Sequence, residues 1–379
     1  MENSFVIQEL IKQIDRLGKE VIWPAAIEAD EKEKFDLKLF SQFGEIGLLG
    51  IVGAEEYGGS NLNYSDYVSV LERLAYYSVP YAVTVSVSIM VQKMIEDLGS
   101  ESQKKQYLAK LISGEMIGSF ALSESHSGSD AAALKTTAKK VSGGFELQGT
   151  KMWITSGGLS GVYVVMARTS EKEISAFLVP EGAPGFTLGK KEKKMGWRLS
   201  PTRELIFQNC FVSETQALGK LGEGFKMALS ALNKGRVTIG AVAVGLSQRA
   251  LDLSLAFSKE RKQFNTALSH FQGIQFMLAD MATETYASRA LVMQAAQALG
   301  NLNNSQSQKN LSAHNAICSM AKLKATDVGM QVTTDAVQIH GGVGYTSEYH
   351  VERLMRDAKA LQIVEGTNQI QRVVIARNL

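Results

Sequence analysis

The sequence has 379 residues, 45% of them hydrophobic and 21% charged, with 40 basic against 38 acidic side chains. That balance excludes disordered and fibrous classes, and a net charge of +2 supplies no basic stripe for nucleic acid. Two cysteines, Cys210 and Cys318, cannot build a disulfide framework, and the five histidines show no ligand spacing, so no protein-bound metal is expected.

At roughly 100–200 residues per domain the length fits two or three domains. The N-terminus carries Glu2, Glu9 and Asp15 and no basic or cleavable segment, so neither a secretory signal nor a transit peptide is expected. The longest apolar stretch, Tyr81 to Val91, is far shorter than the roughly 20 residues of a membrane span. A soluble protein without a membrane span is expected, cytoplasmic if bacterial and in the mitochondrial matrix if a mature eukaryotic chain.

Three zones follow one another. Residues 1–118 read as helical: Ile7, Leu10, Ile11, Ile14 and Leu17 recur at helical spacing, as do Tyr67, Val70, Leu71 and Leu74. Gly53 to Gly59 reads as a loop between helices. Residues 119–218 change period. Gly143-Gly144 between Thr137–Val141 and Phe145–Leu147 is a hairpin signal, and Val162–Ala167, Ala176–Val179 and Glu204–Phe207 are short apolar runs. They predict a small antiparallel β domain. Residues 219–379 return to helix, with no proline from Phe225 to Arg261 and apolar spacing over Ile274–Leu299 and Leu311–Ile339. Four helices in a bundle are expected there.

Several stretches carry candidate chemistry. Phe120 to Asp130 (FALSESHSGSD) is a Gly/Ser-rich loop leaving a strand, able to hold a cofactor or simply a solvated turn. Lys151 to Thr155 (KMWIT) sets an indole beside a hydroxyl, which suits a planar ring or a half-buried strand. Gln338 to Gly344 (QIHGGVG) offers close backbone approach or a helix stop. No GxGxxG follows a strand, so a dinucleotide fold of the Rossmann type is excluded. Glu365, among Ile363, Val364 and Gly366, is a carboxylate in apolar company. Such a group has a raised pKa and suits a general base, though the same position could be an N-cap or surface acid before the last helix.

Taken together and in order, FALSESHSGSD, GTKMWIT, KKMGWRLSPTR, ERKQF followed by FQ, QIHGGVGY and MRDAKALQIVEGTNQIQR resemble the acyl-CoA dehydrogenase family over essentially the whole length. GKKEKKMGWRLSPTR, LNKGR, LADMAT and CSMAKLKATD look closest to the short branched-chain members that act on isobutyryl-CoA. The resemblance implies an α+β fold: an N-terminal α-helical domain (1–118), a middle antiparallel β domain (119–218) and a C-terminal four-helix bundle (219–379).

It also implies a bound FAD, an acyl-CoA thioester substrate and α,β-dehydrogenation. Phe120, Leu122, Ser123, Gly128 and Ser129 would line the flavin, Ser129 also lying near the CoA end of the substrate. Trp153 would flank the isoalloxazine beside Ile154, and Thr155 would bond near flavin N5. Arg261, Phe264 and Gln272 resemble residues that reach a neighbouring subunit's FAD, and Gln338, Gly341 and Gly342 the stretch that cradles its diphosphate part. Thr367 and Gln369 resemble cofactor contacts beside the base. Asn233 and Arg236 stand in the CoA-binding turn, and Gly366 beside Glu365 at the substrate. Glu365 would take the α-proton. Some relatives carry the base where this chain has Gly235, and many straight-chain members have Asp where it has Asn233. A cofactor site shared between subunits implies a homo-oligomer, most often a dimer of dimers, and an electron-transfer flavoprotein as acceptor.

Other readings are a straight short- or medium-chain acyl-CoA dehydrogenase, an acyl-CoA oxidase, disfavoured because family oxidases are usually much longer, and an enzyme acting on an acyl-carrier-protein thioester.

Overall fold

The computed structural model describes residues 2–300 and 308–379. It opens with α1 (Glu2–Leu17), which runs through a π turn at Gly18–Ile22 into α2 (Trp23–Glu31). Pro24 stands at the start of α2, where its ring would meet the Glu20 carbonyl of a regular helix, and the widened turn relieves that clash. Then come α3 (Leu37–Glu45), capped by Asp36, α4 (Tyr64–Tyr77), capped by Asn63, and α5 (Val79–Leu98), capped by Ser78. Helix α6 (Glu101–Ser113) starts in a Ser100/Gln103 capping box. Helix α5 is buried nearly all round because α4, α6 and the β domain all pack on it. That is why residues 81–91 read as a long apolar run broken only by Thr84, Ser86 and Ser88. Among the described residues no helix is long and apolar enough to cross a membrane.

The middle region is one eight-stranded sheet. Its strands are β1 (Gly118–Ala121), β2 (Thr137–Val141), β3 (Gly144–Thr155), β4 (Val162–Arg168), β5 (Ile174–Pro180), β6 (Phe186–Lys191), β7 (Thr202–Ser213) and β8 (Ala217–Leu218). The order is β6-β7-β3-β2-β4-β5-β8, with β1 on the other part of β4. The hairpin predicted at Gly143-Gly144 joins β2 to β3, pairing Val141 with Gly144. Pairing is antiparallel except where β1 and the start of β2 meet β4 in parallel. Strand β4 is buried on both faces, which hides the alternation in its sequence. Val162, Val164 and Met166 pack with α5 and α6, and Tyr163, Val165 and Ala167 join Phe145, Phe177 and Phe207 on the far face.

The C-terminal region holds α7 (Gly224–Glu260), a small hairpin of β9 (Lys262–Gln263) and β10 (Thr266–Ala267), α8 (Gln272–Gly300), α9 (Gln308–His340), α10 (His350–Leu361) and α11 (Asn368–Arg377). Helices α7, α8, α9 and the shorter α10 form the bundle, and α11 lies on α9. Trp197 ties sheet to bundle: its backbone N–H donates to Asp357 Oδ1 at 2.6 Å and its indole N–H to the Asp357 carbonyl at 2.9 Å. The Gly-Trp of the KKMGWR stretch is thus a domain clasp.

Candidate active site

Three separate parts of the chain close around one cavity of about 470 Å³: the loop after β1, the end of β3, and the turn between α10 and α11, with α5 and α7 as walls. Each part is shaped by a local feature of the sequence.

The end of β3 carries a bulge. Against β7 the register steps from Lys151–Leu205 to Ile154–Arg203, so β3 has one residue more than its partner. The Met152 N–H donates instead to the Ser123 carbonyl at 2.9 Å, which binds the loop after β1 to the strand. Trp153 sits on the bulge at φ +58°, and its side chain is half exposed at the cavity wall. An aromatic residue in the left-handed region costs of order 1–3 kcal/mol and persists where the surroundings impose it. An indole held this way at a cavity wall fits a planar ring laid against it.

Beneath the bulge lies a buried ion pair. Lys151 is fully buried; its Nζ donates to Glu124 Oε1 at 2.8 Å and to the Leu122 carbonyl at 3.0 Å. Glu124 also accepts from the Lys135 and Thr136 backbone N–H groups at 2.7 and 2.9 Å. Burial pushes the Glu124 carboxyl up, but these donors outweigh it and hold it at about 2. Burial pulls the Lys151 ammonium down to about 8, against the pull of Glu124. His126 merely approaches the same carboxylate, at 3.5 Å.

The third part is the turn at Glu365. Glu365 is at φ +55° and Gly366 at φ +85°, two left-handed residues in succession. Gln371 Nε2 donates to both their carbonyls, at 3.0 and 2.8 Å. The N-cap of α11 is Thr367, whose hydroxyl accepts from the Ile370 N–H, so Glu365 does no capping. Its Oε2 is shut off from solvent and has no hydrogen-bond partner. Burial raises the carboxyl to about 7, opposed by the positive charges of Arg236 and Lys322. A carboxylate that is desolvated, unpaired and ionisable near neutrality is fitted to accept a proton.

Of the residues expected at the site, Phe120, Leu122, Ser123, Gly128, Ser129, Trp153, Ile154, Thr155, Arg236, Glu365, Gly366 and Thr367 line this cavity together. Asn233 does not. Its Oδ1 accepts from Arg236 Nη1 at 2.6 Å and its amide donates to Asn315 at 2.7 Å, so it orients the arginine. Gln369 lies in a groove on the other side of Thr367. Arg261, Phe264, Gln272, Gln338, Gly341 and Gly342 line no part of the cavity and are exposed, Phe264 by 90%. Residues that sequence reasoning passed over include Met90, Glu124, Lys151 and Lys322. The last three lie inside stretches already singled out, and only their burial reveals them.

Behind the Met90 side chain lies a second cavity of about 240 Å³, lined by Tyr64, Tyr67, Ser86, Gly235 and Thr238 among others. Met90 lines both cavities.

Models of the acyl-CoA dehydrogenase N-terminal, middle and C-terminal domains match residues 7–115, 119–210 and 222–379 in turn. The chain belongs to the acyl-CoA dehydrogenase family. It is an oxidoreductase of that family by the same comparison. The mitochondrial isobutyryl-CoA dehydrogenase of Dictyostelium discoideum is 41% identical over 96% of this chain and 86% of its own. Butyryl-CoA dehydrogenase from Megasphaera elsdenii has a solved structure with a TM-score of 0.93, 38% identity and coverage of 98% and 97% of the two chains. An acyl-CoA dehydrogenase from Bacillus anthracis, solved in complex with FAD, matches at a TM-score of 0.91 and 33% identity over 99% of this chain and 66% of that one. Length does not separate dehydrogenases from oxidases as expected from the sequence. The prolyl acyl carrier protein oxidase AnaB covers 98% of each chain at 29% identity and a TM-score of 0.91.

Proposed function

We propose that the chain removes two hydrogens from the α and β carbons of a short acyl-CoA thioester, branched as in isobutyryl-CoA, to give the 2-enoyl-CoA. The observation that carries this reading is the Glu365 carboxylate, its Oε2 unpaired and shut off from solvent, in a cavity that the half-exposed Trp153 indole also lines. The α C–H of a thioester is a weak acid. A half-buried base whose Oε2 is shut off from solvent and whose carboxyl is raised to about 7 matches it better than an exposed glutamate.

The cavity wall fits FAD, which when bound supplies the hydride acceptor that no side chain can provide. Phe120, Leu122, Ser123, Gly128, Ser129, Trp153, Ile154, Thr155 and Thr367 would hold it in one subunit. Arg261, Phe264, Gln272, Gln338, Gly341 and Gly342, exposed and remote from the cavity, would complete the site of a neighbouring subunit, with Gln369 at its edge. The working form is then a homo-oligomer. Glu365 accepts the α-proton at Oε2, and its backbone N–H polarises the thioester carbonyl. Arg236, oriented by Asn233, supplies positive charge beside the carboxylate and meets the CoA portion. Closure of the cavity by substrate excludes water and strengthens these interactions. The electrons leave to an electron-transfer flavoprotein.

Anaerobic titration of the purified protein with isobutyryl-, butyryl-, isovaleryl- and octanoyl-CoA tests the reading. Loss of visible flavin absorbance with the short thioesters, led by isobutyryl-CoA, is expected. No bleaching by any of them would overturn it. The likeness to an oxidase of the same length supports a second reading, transfer of electrons to oxygen from a carrier-protein thioester. Oxygen consumption in air, with no added acceptor, is the result that would favour it.

A further inference from the structure

The stretch CSMAKLKATD lies on α9, in none of the three chain segments that close the cavity, and it contains Lys322, whose side chain is fully buried. Among the described residues no carboxylate lies within ion-pair distance of it. A desolvated ammonium without such a partner is costly, and a chain that keeps one puts its charge to use.

The charge is directed at the catalytic turn. Lys322 Nζ donates to the Gly366 carbonyl at 3.0 Å and to Asn368 Oδ1 at 2.7 Å, the residues one and three positions after Glu365. Asn368 in turn donates to Asp327 at 2.7 Å, and Gln362, on the other side of the turn, donates to the same Asp327 oxygen at 2.7 Å. One helical stretch of α9 therefore grips both ends of the turn, with Lys322 at its centre.

We propose that Lys322 is a positioning residue for the catalytic base: it braces the left-handed turn that aims Glu365, and its charge favours the ionised carboxylate. This rests on Glu365 being the base. The charged surroundings are few. Arg236 faces the carboxylate from α7, Lys322 from α9, and Asp130 lines the same cavity. Cys318 lies beside Arg236, and Asp327 faces Lys322 while bonding Arg372 of α11 at 3.1 Å, with Lys359 of α10 in the groove beside it. Arg236 and Lys322 are thus the two cations that oppose the desolvation of Glu365; burial pulls the Lys322 ammonium itself down to about 7, against the pull of Glu365 and Asp327, so its charge supports the carboxylate on the acid limb rather than on the alkaline plateau.

Lys322→Met removes both the brace and the charge, whereas Lys322→Gln keeps a hydrogen-bond donor without the charge. The FAD-loaded variants are mixed with isobutyryl-CoA and butyryl-CoA, and the rate of flavin bleaching is followed from pH 5.5 to 9. Loss of a nearby positive charge makes the carboxylate harder to ionise, so the acid limb of the profile moves to higher pH. The expected move is about one unit, a tenfold lower rate on the acid side with the alkaline plateau better preserved. Lys322→Gln shows the same move with unchanged FAD content, and it decides alone if the Met variant does not fold. A limb that stays in place in the Gln variant, or a rate lost equally at every pH, overturns the proposal. Glu365→Gln in the same assay separates the two readings. If it still bleaches, the base is elsewhere. If it is inert and the Lys322 limb has not moved, only the role of Lys322 falls.

Discussion

The carboxylate of Glu365 occupies the room that a side chain at Gly235 would need. A Cβ built on Gly235 would stand 2.6 Å from Glu365 Oε2 and 2.8 Å from Met90 Cε. The two positions are therefore alternatives in space: one site can hold the base from the α10–α11 turn or a side chain from α7, not both undisturbed.

Glu365→Gln is expected to keep the fold and the cofactor and to lose turnover by roughly 10²–10⁴-fold, the usual worth of a general base. Glu352, bonded to Arg356 at 2.6 Å, and the exposed Glu348 are controls. Their Gln variants should bleach at the normal rate. Steady-state and single-turnover rates check this, and a Glu365→Gln enzyme within tenfold of the parent would move the base elsewhere.

The same carboxylate sets a pH dependence of two opposite signs. Its folded value of about 7 lies above the ordinary 4.5, so ionisation favours the unfolded chain as pH rises through that window. Below 4.5 the penalty is absent, and above about 7 it is fully present. Turnover, which needs the ionised base, rises over the same interval. Thermal unfolding at pH 8 should therefore find Glu365→Gln more stable than the parent, by about 1–3 kcal/mol. The difference should shrink as pH falls toward 5. A parent protein that is the more stable at pH 8 would contradict this.

Removing one member of a buried ion pair is expensive, about 3–5 kcal/mol, because the other is left uncompensated. Lys151→Met strands Glu124 and frees the carbonyl of Leu122, which lines the cavity. The expected outcome is a lower Tm and weaker FAD retention on gel filtration. Glu124 gives a further sign: its folded value of about 2 lies below 4.5, so its contribution is complete above 4.5 and drains away as pH falls toward 2. The acid stability of parent and variant should converge there.

Met90→Ala joins the second cavity to the first. Each newly buried methylene is worth about 0.8 kcal/mol, so about two of them raise kcat/KM for octanoyl-CoA relative to isobutyryl-CoA by roughly tenfold. An unchanged ratio would mean that the acyl chain does not point toward Met90.

The helical–β–helical architecture was legible because the periods differ: helical spacing at either end, hairpin and turn signals between. Glu365 stood out because its neighbours are apolar, and Trp153 because its indole is set beside the Thr155 hydroxyl. The parallel pairing of β1 with β4 was not legible, since local sequence does not state which strand a chain returns to. Nor was the role of Lys322. Its partners lie 44 and 46 positions further on, and a lysine in an amphipathic helix ordinarily faces water. The remote Arg261, Phe264 and Gly341 could be grouped with the flavin only by family likeness, for no contact within one chain brings them to the cavity.

The extra residue in β3 acts as a parity switch. Phe145, Leu147 and Lys151 point inward at odd positions, and after the bulge the inward residue is Ile154. Deleting Met152 alone would leave the strand its length and most of its ladder. It would also restore strict alternation with the indole still outward and Ile154 still inward, but it would remove the left-handed step at Trp153 and the Met152 tie to the Ser123 carbonyl. A sheet that still folds would then present the indole from an ordinary strand, at a different angle and no longer tied to the loop after β1. Losing one residue would cost the pocket its shape while sparing the scaffold, and a screen for folded protein alone would pass it.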